Sequence, residues 1–232
     1  MKRVGRVKNM LLLGRAAVSF VDLVKHIDHL DRVFEIADAL SEGNAEELEK
    51  MCATFAQDPA GAAALAGKHR LRVDLPALSL LPAGTFGRVF AEHLIANGLD
   101  PTAIPTLPAQ TDVEFMRAHL YETHDVWHAV TGFAADPAGE LGLQAFYAAQ
   151  TPGGLPFLLL SVGLLNTAFF AMEDRDRRFE AISQGWRMGR RARSLFGARW
   201  DELWSRPIAE VRALFGVEPY AEIPAAALAA AA

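Results

Sequence analysis

The chain has 232 residues, 51% hydrophobic and 22% charged, so it can bury a substantial core and disorder as its main state is excluded. Ala (41) and Leu (29) far outnumber Val plus Ile (21), which favours helix and excludes an all-β or strongly parallel-sheet protein. The formal charge of −5 offers no global positive field for nucleic acid, and the lone Cys52 excludes an intrachain disulfide or a thiolate-rich zinc site, which fits a reducing compartment.

Lys2, Arg3, Arg6 and Lys8 precede an apolar stretch, Met10 to Val24, that Arg15 interrupts and that no clean small-x-small pattern follows. A basic amphipathic helix is expected there rather than a secretory signal. Residues 8 to 40 read as helix, with Leu12, Leu13, Val18, Val21, Val24, Ile27 and Leu30 at spacings close to three and four. A turn over Ser41 to Asn44 leads into a helix from Ala45 to Ala56 that Asn44 can cap, and Asp58-Pro59-Ala60-Gly61 ends it. Residues 67 to 86, with Pro76 and Pro82, read as a connection, and Gly87 to Asn97 as a short helix.

Thr111 or Asp112 caps a long helix expected from Val113 to Phe133. The turn Asp136-Pro137-Ala138-Gly139 then folds Glu140 to Gln150 back as the second arm of an αα-hairpin. Thr151 to Gly154 break the chain before an apolar helix from Pro156. Leu155 to Met172 lacks charge, but Pro156, Ser161, Gly163, Asn166 and Thr167 point to a buried core helix or a lipid-facing groove helix rather than a span. A charged helix over 173 to 196, a short segment Trp200 to Trp204 and a last helix begun by Pro207 follow, then a low-complexity tail, Ala221 to Ala232. The expected fold is all-α: one helical domain over residues 1–220, carrying a hairpin metal site and an apolar lipid groove.

The chemistry concentrates in His124-Asp125-Val126-Trp127-His128. Positions four apart share a helix face, so both imidazoles point one way, on the stripe of Val113, Met116, Leu120, His124, Trp127 and His128. Asp125 lies about 100° round the helix, near enough to act as a ligand or as an acceptor for an imidazole N–H. Glu140, past the hairpin turn, folds back toward the pair. Two His, an Asp and a Glu make a mixed nitrogen and oxygen site suited to Zn²⁺, Fe²⁺ or Mn²⁺. Two histidines at this spacing also arise by chance, and the zincin pattern His-Glu-x-x-His is absent. A His-Asp phosphohydrolase would need an upstream His and a later Asp, which His93 and Asp174 or Asp176 would supply only by coincidence.

Leu81-Pro82-Ala83-Gly84-Thr85-Phe86-Gly87, Glu122-Thr123-His124-Asp125-Val126-Trp127-His128, Glu140 after 11 intervening residues, Gln150, Leu155-Pro156, Trp186, Gly189 and the segment Trp200 to Leu214 together resemble the coenzyme Q biosynthesis protein 4 family. The resemblance covers roughly residues 80 to 216. It implies an all-helical protein with a bound divalent metal, usually zinc, and a role in ubiquinone synthesis. It further implies loss of the C1 carboxylate of a polyprenylated hydroxybenzoate, coupled to hydroxylation of the same carbon, within a membrane-associated complex of quinone-biosynthesis proteins.

On this reading His124, His128 and Glu140 are inner ligands, Asp125 a ligand or a weaker one, and the expected partners are a polyprenylated lipid and quinone-biosynthesis proteins. A peripheral place on the inner membrane face, at the cytoplasmic side, is expected, with no nucleic acid and with a homodimer allowed. Trp127 is a candidate wall for a lipid tunnel, although large side chains at helical spacing usually form ordinary core. Arg187 and Arg190, in a run with Arg191 and Arg193, are candidates to hold a carboxylate or lipid phosphate, against the simpler reading of a solvated face. Cys52 reads as a small buried hydrophobe. The rival expectation is a non-catalytic prenyl-lipid-binding scaffold with a structural metal.

Overall fold

The structure is a computed structural model that describes residues 17–27, 29–102 and 106–222. The helices are α1 (17–25), α2 (Leu30–Gly43), α3 (Ala45–Phe55), α4 (Pro59–Gly67), α5 (Leu75–Ser79), α6 (Phe86–Ala96), α7 (Asp112–Glu122), α8 (His124–Thr131), α9 (Pro137–Gln150), α10 (Leu155–Phe170), α11 (Arg175–Arg191) and α12 (Ile208–Phe215). Short 3₁₀ turns lie at Met172–Asp174 and Trp200–Glu202. Among the described residues no strand forms, and Thr85 and Pro207 make an isolated antiparallel bridge. The fold is all-α, as composition predicts.

Several boundaries differ from the sequence expectation, each for a local reason. The basic N-terminal segment, residues 8–16 of the helix expected over 8 to 40, and residues 223–232 of the tail lie outside the described residues. The described part of that first helix is two helices, α1 and α2. At their joint the rings of His26 and His29 stack at 4.8 Å, and His29 Nδ1 pairs with Asp22 at 2.9 Å. Asn44 precedes α3 without capping it, because its amide donates to the Leu40 carbonyl at 3.0 Å instead. Asp58-Pro59 starts α4 as well as ending α3: Asp58 Oδ1 accepts from the Ala60 and Gly61 N–H groups, and the proline fills the first helical turn.

The long helix expected from Val113 to Phe133 is also two. Thr123, buried at φ −100° and ψ 2°, separates α7 from α8, and its hydroxyl donates to the His119 carbonyl at 2.7 Å, a back-bond that bends helices. Thr111 starts α7 with a capping box, exchanging hydrogen bonds with Glu114. The connection over 67 to 86 holds α5, capped by Asp74, and is pinned to the α7–α8 joint by Arg70, whose Nε donates to Glu122 Oε1 at 2.8 Å. The charged helix is shorter than expected, Arg175–Arg191, and follows a 3₁₀ turn.

The main core gathers α6, α8, α9, α11 and the C-terminal segment around Phe86, Phe90, Trp127, Phe133, Phe146 and Trp200. A second cluster joins α3, α4 and α7 through Cys52, Phe55, Phe115 and Met116, so Cys52 is buried as expected and burial pushes its thiol up to about 11. α9 and α11 make the most extensive helix pair. Their backbones meet so closely that a Cβ on Gly185 would lie 1.9 Å from the Gly142 carbonyl oxygen. α10 is buried through Pro156, Val162, Gly163, Asn166 and Thr167 and exposes Phe157, Leu164, Leu165, Phe169 and Phe170. Arg178, itself buried, ties α11 to α10 by donating to Asn166 Oδ1 at 2.8 Å and Thr167 Oγ1 at 3.0 Å. Among the described residues no single helix is long and apolar enough to cross a membrane.

Candidate metal centre

Caps at both ends of one loop build the hairpin. α8 stops at Gly132, a left-handed residue with φ +82°, whose N–H donates to the His128 carbonyl at 2.8 Å. Arg212 of α12 caps the same end, its Nε donating to the Val130 carbonyl at 2.9 Å and its Nη2 to the Ala129 carbonyl at 3.0 Å. Asp136 then opens α9: Oδ1 accepts from the Gly139 N–H at 2.9 Å, and Oδ2 takes Arg177 Nη1 at 2.8 Å. The chain reversal between these caps sets Glu140, in the first turn of α9, opposite the face of α8 that carries His124 and His128.

The nearest ligand-type atoms of His124, His128 and Glu140 all lie within 4.8 Å of one another. Glu140 Oε1 is 3.1 Å from His128 Nε2, and Oε2 is 3.6 Å from His124 Nε2. The two imidazole rings meet edge to face with centroids 4.9 Å apart. His128 Nδ1 lies 3.0 Å from the Phe133 carbonyl oxygen, which only accepts, so Nδ1 carries a hydrogen, and Nε2, which faces Glu140, holds either a second proton or a lone pair. A lone pair facing a carboxylate oxygen requires a proton or a cation between them. An ion with tetrahedral bonds of about 2.0–2.1 Å holds its ligands about 3.3 Å apart, close to the observed spacings, and this donor set suits Zn²⁺, Fe²⁺ or Mn²⁺. The residues therefore fit a divalent metal. His128 is 1% exposed while the side chains of His124 and Glu140 are 30% and 38% exposed, so the cluster is closed behind His128 and open on the other side.

Electrostatics bind the cluster together. Burial resists charge on His124, but the Glu140 carboxylate raises its pKa above the ordinary imidazole value. Burial likewise resists charge on Glu140, and His128 and His124 outweigh it, holding the carboxyl well below the usual range. Tyr147 of α9 backs the site: its ring stacks on His124 at 5.9 Å and on Trp127 at 4.2 Å. Burial, with Asp125 and Glu140 adding to it, pushes its hydroxyl well above the ordinary value, so it stays neutral.

The structure brings together three of the four expected ligands. Asp125 stands outside the converging group, one step round the helix, where its charge acts on His93, His124 and Tyr147. Trp127 is fully buried between Tyr147 and the edge of Phe146, a wall behind the site rather than a surface open to a ligand. Arg187 and Arg190 are exposed on α11, whose Gly185 and Gly189 face α9, and they are not brought to the histidine pair. Sequence reasoning passed over His93 of α6. Its ring lies 5.4 Å from His128 at 20°, and burial foremost, with the neighbouring His128, pushes its pKa down to about 4. The one sequence signal for it was the upstream histidine that a His-Asp phosphohydrolase would need.

The comparisons with known proteins follow the same pattern. The family model described as coenzyme Q (ubiquinone) biosynthesis protein Coq4 matches residues 6–221, well beyond the 80 to 216 carried by the motifs. A relative from Xenopus tropicalis, named ubiquinone biosynthesis protein COQ4 homolog, mitochondrial, is 27% identical over 94% of this chain and 76% of its own length. A fungal relative from Arthroderma otae, named ubiquinone biosynthesis protein COQ4, mitochondrial, is 32% identical over 69% of this chain and 61% of its own. The chain spans about half the length of the Botryotinia fuckeliana relative, 52% of it at 31% identity. A crystal structure of a protein from Nostoc punctiforme PCC 73102, assigned to ubiquinone biosynthesis, superposes with a TM-score of 0.76 at 27% identity, covering 88% of this chain and 98% of that one. With a family match over nearly its whole length, the chain belongs to the coenzyme Q (ubiquinone) biosynthesis protein Coq4 family.

Proposed function

We propose that this chain is a metal-dependent enzyme of ubiquinone biosynthesis that removes the C1 carboxylate of a polyprenylated hydroxybenzoate. The observation that carries the reading is the convergence of His124, His128 and Glu140 with one side open, because catalytic centres keep a position for water or substrate and structural ones close it. A divalent ion held there supplies Lewis-acid stabilisation of the charge that develops as CO₂ leaves, Zn²⁺ sufficing for that step and Fe²⁺ or Mn²⁺ being needed if the same carbon is hydroxylated, since Zn²⁺ has no redox chemistry. The carbon–carbon bond to the carboxylate would break with CO₂ leaving, and the electron pair left on C1 would form a C–H bond with a proton supplied by water. The chain's own residues orient and shield. The bond from His128 Nδ1 to Phe133 fixes one imidazole, while Tyr147 and Trp127 give the other an apolar backing that excludes water.

The exposed face of α10, with Phe157, Leu164, Leu165, Phe169 and Phe170, suits a prenyl chain or the membrane surface that supplies it, each buried CH₂ contributing about 0.8 kcal/mol. It supports a peripheral place on the inner membrane face beside other quinone-biosynthesis proteins. The same face favours a second reading, a scaffold that presents prenyl intermediates while its metal is structural. Elemental analysis of protein purified without added metal, followed by CO₂ release from a prenylated hydroxybenzoate with Zn²⁺, Fe²⁺ or Mn²⁺ and O₂, separates the two. One ion per chain with turnover supports the enzyme; one ion per chain without turnover leaves the scaffold; no stoichiometric ion overturns both.

A further inference from the structure

The two imidazoles of the centre are held unequally. His128 is buried, tethered at Nδ1 to the Phe133 carbonyl, and it lies in the half of α8 whose end Gly132 and Arg212 cap. His124 is the first residue of α8, half-buried, and it meets Glu140 across the hairpin and the stacked ring of Tyr147. Where its Nε2 points therefore depends on the backbone that delivers it. That backbone comes straight from the break at Thr123, and the last residue of α7 before the break is Glu122. Arg70, 52 positions earlier in the chain, grips it: Nε donates to Oε1 at 2.8 Å and to Oε2 at 3.0 Å, and Nη2 also pairs with Oε1. Nη1 of the same guanidinium donates to the Leu107 carbonyl at 3.1 Å, so one side chain joins the connection after α4, the segment leading into α7 and the α7–α8 joint. Both side chains of the ion pair are partly buried, so water screens it less than a pair on the open surface.

We propose that Arg70 is a positioning residue of the metal centre: by holding Glu122 it sets the α7–α8 bend, and with it the distance from His124 Nε2 to Glu140. This role rests on the metal-dependent reading above and adds to it the device that keeps the second imidazole in range. Because α8 is fixed at its far end, slack at Glu122 falls first on His124, whose Nε2 is 3.6 Å from Glu140 against 3.1 Å for His128. A forked guanidinium on a carboxylate restrains direction as well as distance, which a single point charge does not. Groups that orient metal ligands without touching the ion are worth about 10- to 100-fold in affinity.

Cobalt(II), whose visible spectrum reports the number and geometry of its ligands, reads this without turnover. Metal-free wild type, Arg70→Ala, Glu122→Ala, the double variant and Asp58→Ala are titrated with cobalt, and urea midpoints are measured on the same proteins. Asp58→Ala removes the cap of α4, away from the hairpin, and supplies a loss of stability of other origin. Arg70→Ala and Glu122→Ala are each expected to bind cobalt roughly tenfold more weakly, with an altered spectrum, and the double variant little more weakly than either. Asp58→Ala should keep wild-type affinity and spectrum. Arg70→Lys keeps the charge but not the fork and carries the test if the Ala variants do not fold; a loss of about threefold is expected of it. Wild-type affinity and spectrum in the folded Arg70 variants overturn the inference and leave the metal reading standing. So does an equal loss in Asp58→Ala, and so do additive losses in the double variant, which would mean that the two residues act apart. A wild type that takes up no cobalt overturns the metal reading and the inference together.

Discussion

Among the three converging side chains Glu140 alone brings a negative charge, and each of its oxygens faces a different imidazole. Replacing it with Gln keeps the volume, removes the charge and turns one of the two acceptors into a donor aimed at an imidazole lone pair. Even partners that only support a ligand are worth 10- to 100-fold in metal affinity or activity, so Glu140→Gln should lose at least that much affinity while circular dichroism shows the helices intact. Decarboxylation should fall with the metal and recover only in part at saturating metal. Full decarboxylation by the Gln variant would falsify a catalytic role for the centre. A drop in melting temperature with the metal, in a protein that never turned the substrate over, would instead match the scaffold reading.

At the level of elements, the centre depends on where α9 begins and on how closely α11 lies against it. Asp136 caps α9 and pairs with Arg177 of α11, so Asp136→Ala should cost about 1–2 kcal/mol in urea unfolding and weaken metal binding, although its side chain bonds to Gly139 and Arg177 and it is the backbone carbonyl that meets Glu140, accepting its N–H at 2.8 Å. Asp136→Asn retains a capping oxygen and should recover most of the stability; if Ala and Asn are equally harmful, capping is not what positions Glu140. Gly185→Ala places a methyl against the Gly142 carbonyl, and forcing α9 from α11 should cost about 1–3 kcal/mol or more, read as a lower urea midpoint with little change in slope. Both elements were partly legible in the sequence. The Asp-Pro turn and the His124–His128 spacing gave the hairpin and three side chains that do converge, because caps and helical periodicity are local properties. The breaks at the His26–His29 joint and at Thr123 were not legible, since an uninterrupted apolar period cannot register a back-bonded threonine or a histidine drawn to Asp22. His93 escaped for a tertiary reason: it lies 35 positions before His128 and meets it only because α6 crosses α8.

For the molecule as a whole, buried histidines make stability a function of pH independently of the metal. His119 of α7 is 5% exposed, its Nε2 accepts from the Gly197 N–H at 3.2 Å, and its ring packs against Phe115 and Phe196. Burial above all, with His69 and Arg70 adding repulsion, pushes its pKa down to about 4, whereas in an unfolded chain it returns to about 6.5. Between those two values the unfolded chain takes up a proton that the folded protein refuses. The stabilisation is therefore complete at pH 7, declines as pH falls through 6.5 toward 4, and changes no further once both states are protonated. The gap corresponds to a loss on the order of 3 kcal/mol, a large part of the margin of an ordinary domain. Other groups titrate in the same range, so the contrast lies between wild type and His119→Gln, whose amide oxygen still accepts from Gly197. Urea unfolding of both proteins should be followed from pH 7.5 to 4 with a chelator present, which removes any contribution from metal release. Wild type is expected to lose stability more steeply than the Gln variant below pH 6.5, the two curves converging by about 3 kcal/mol by pH 4. Parallel curves across that range would show that the His119 imidazole keeps its ordinary affinity for protons in the fold, and that its burial contributes nothing to acid sensitivity.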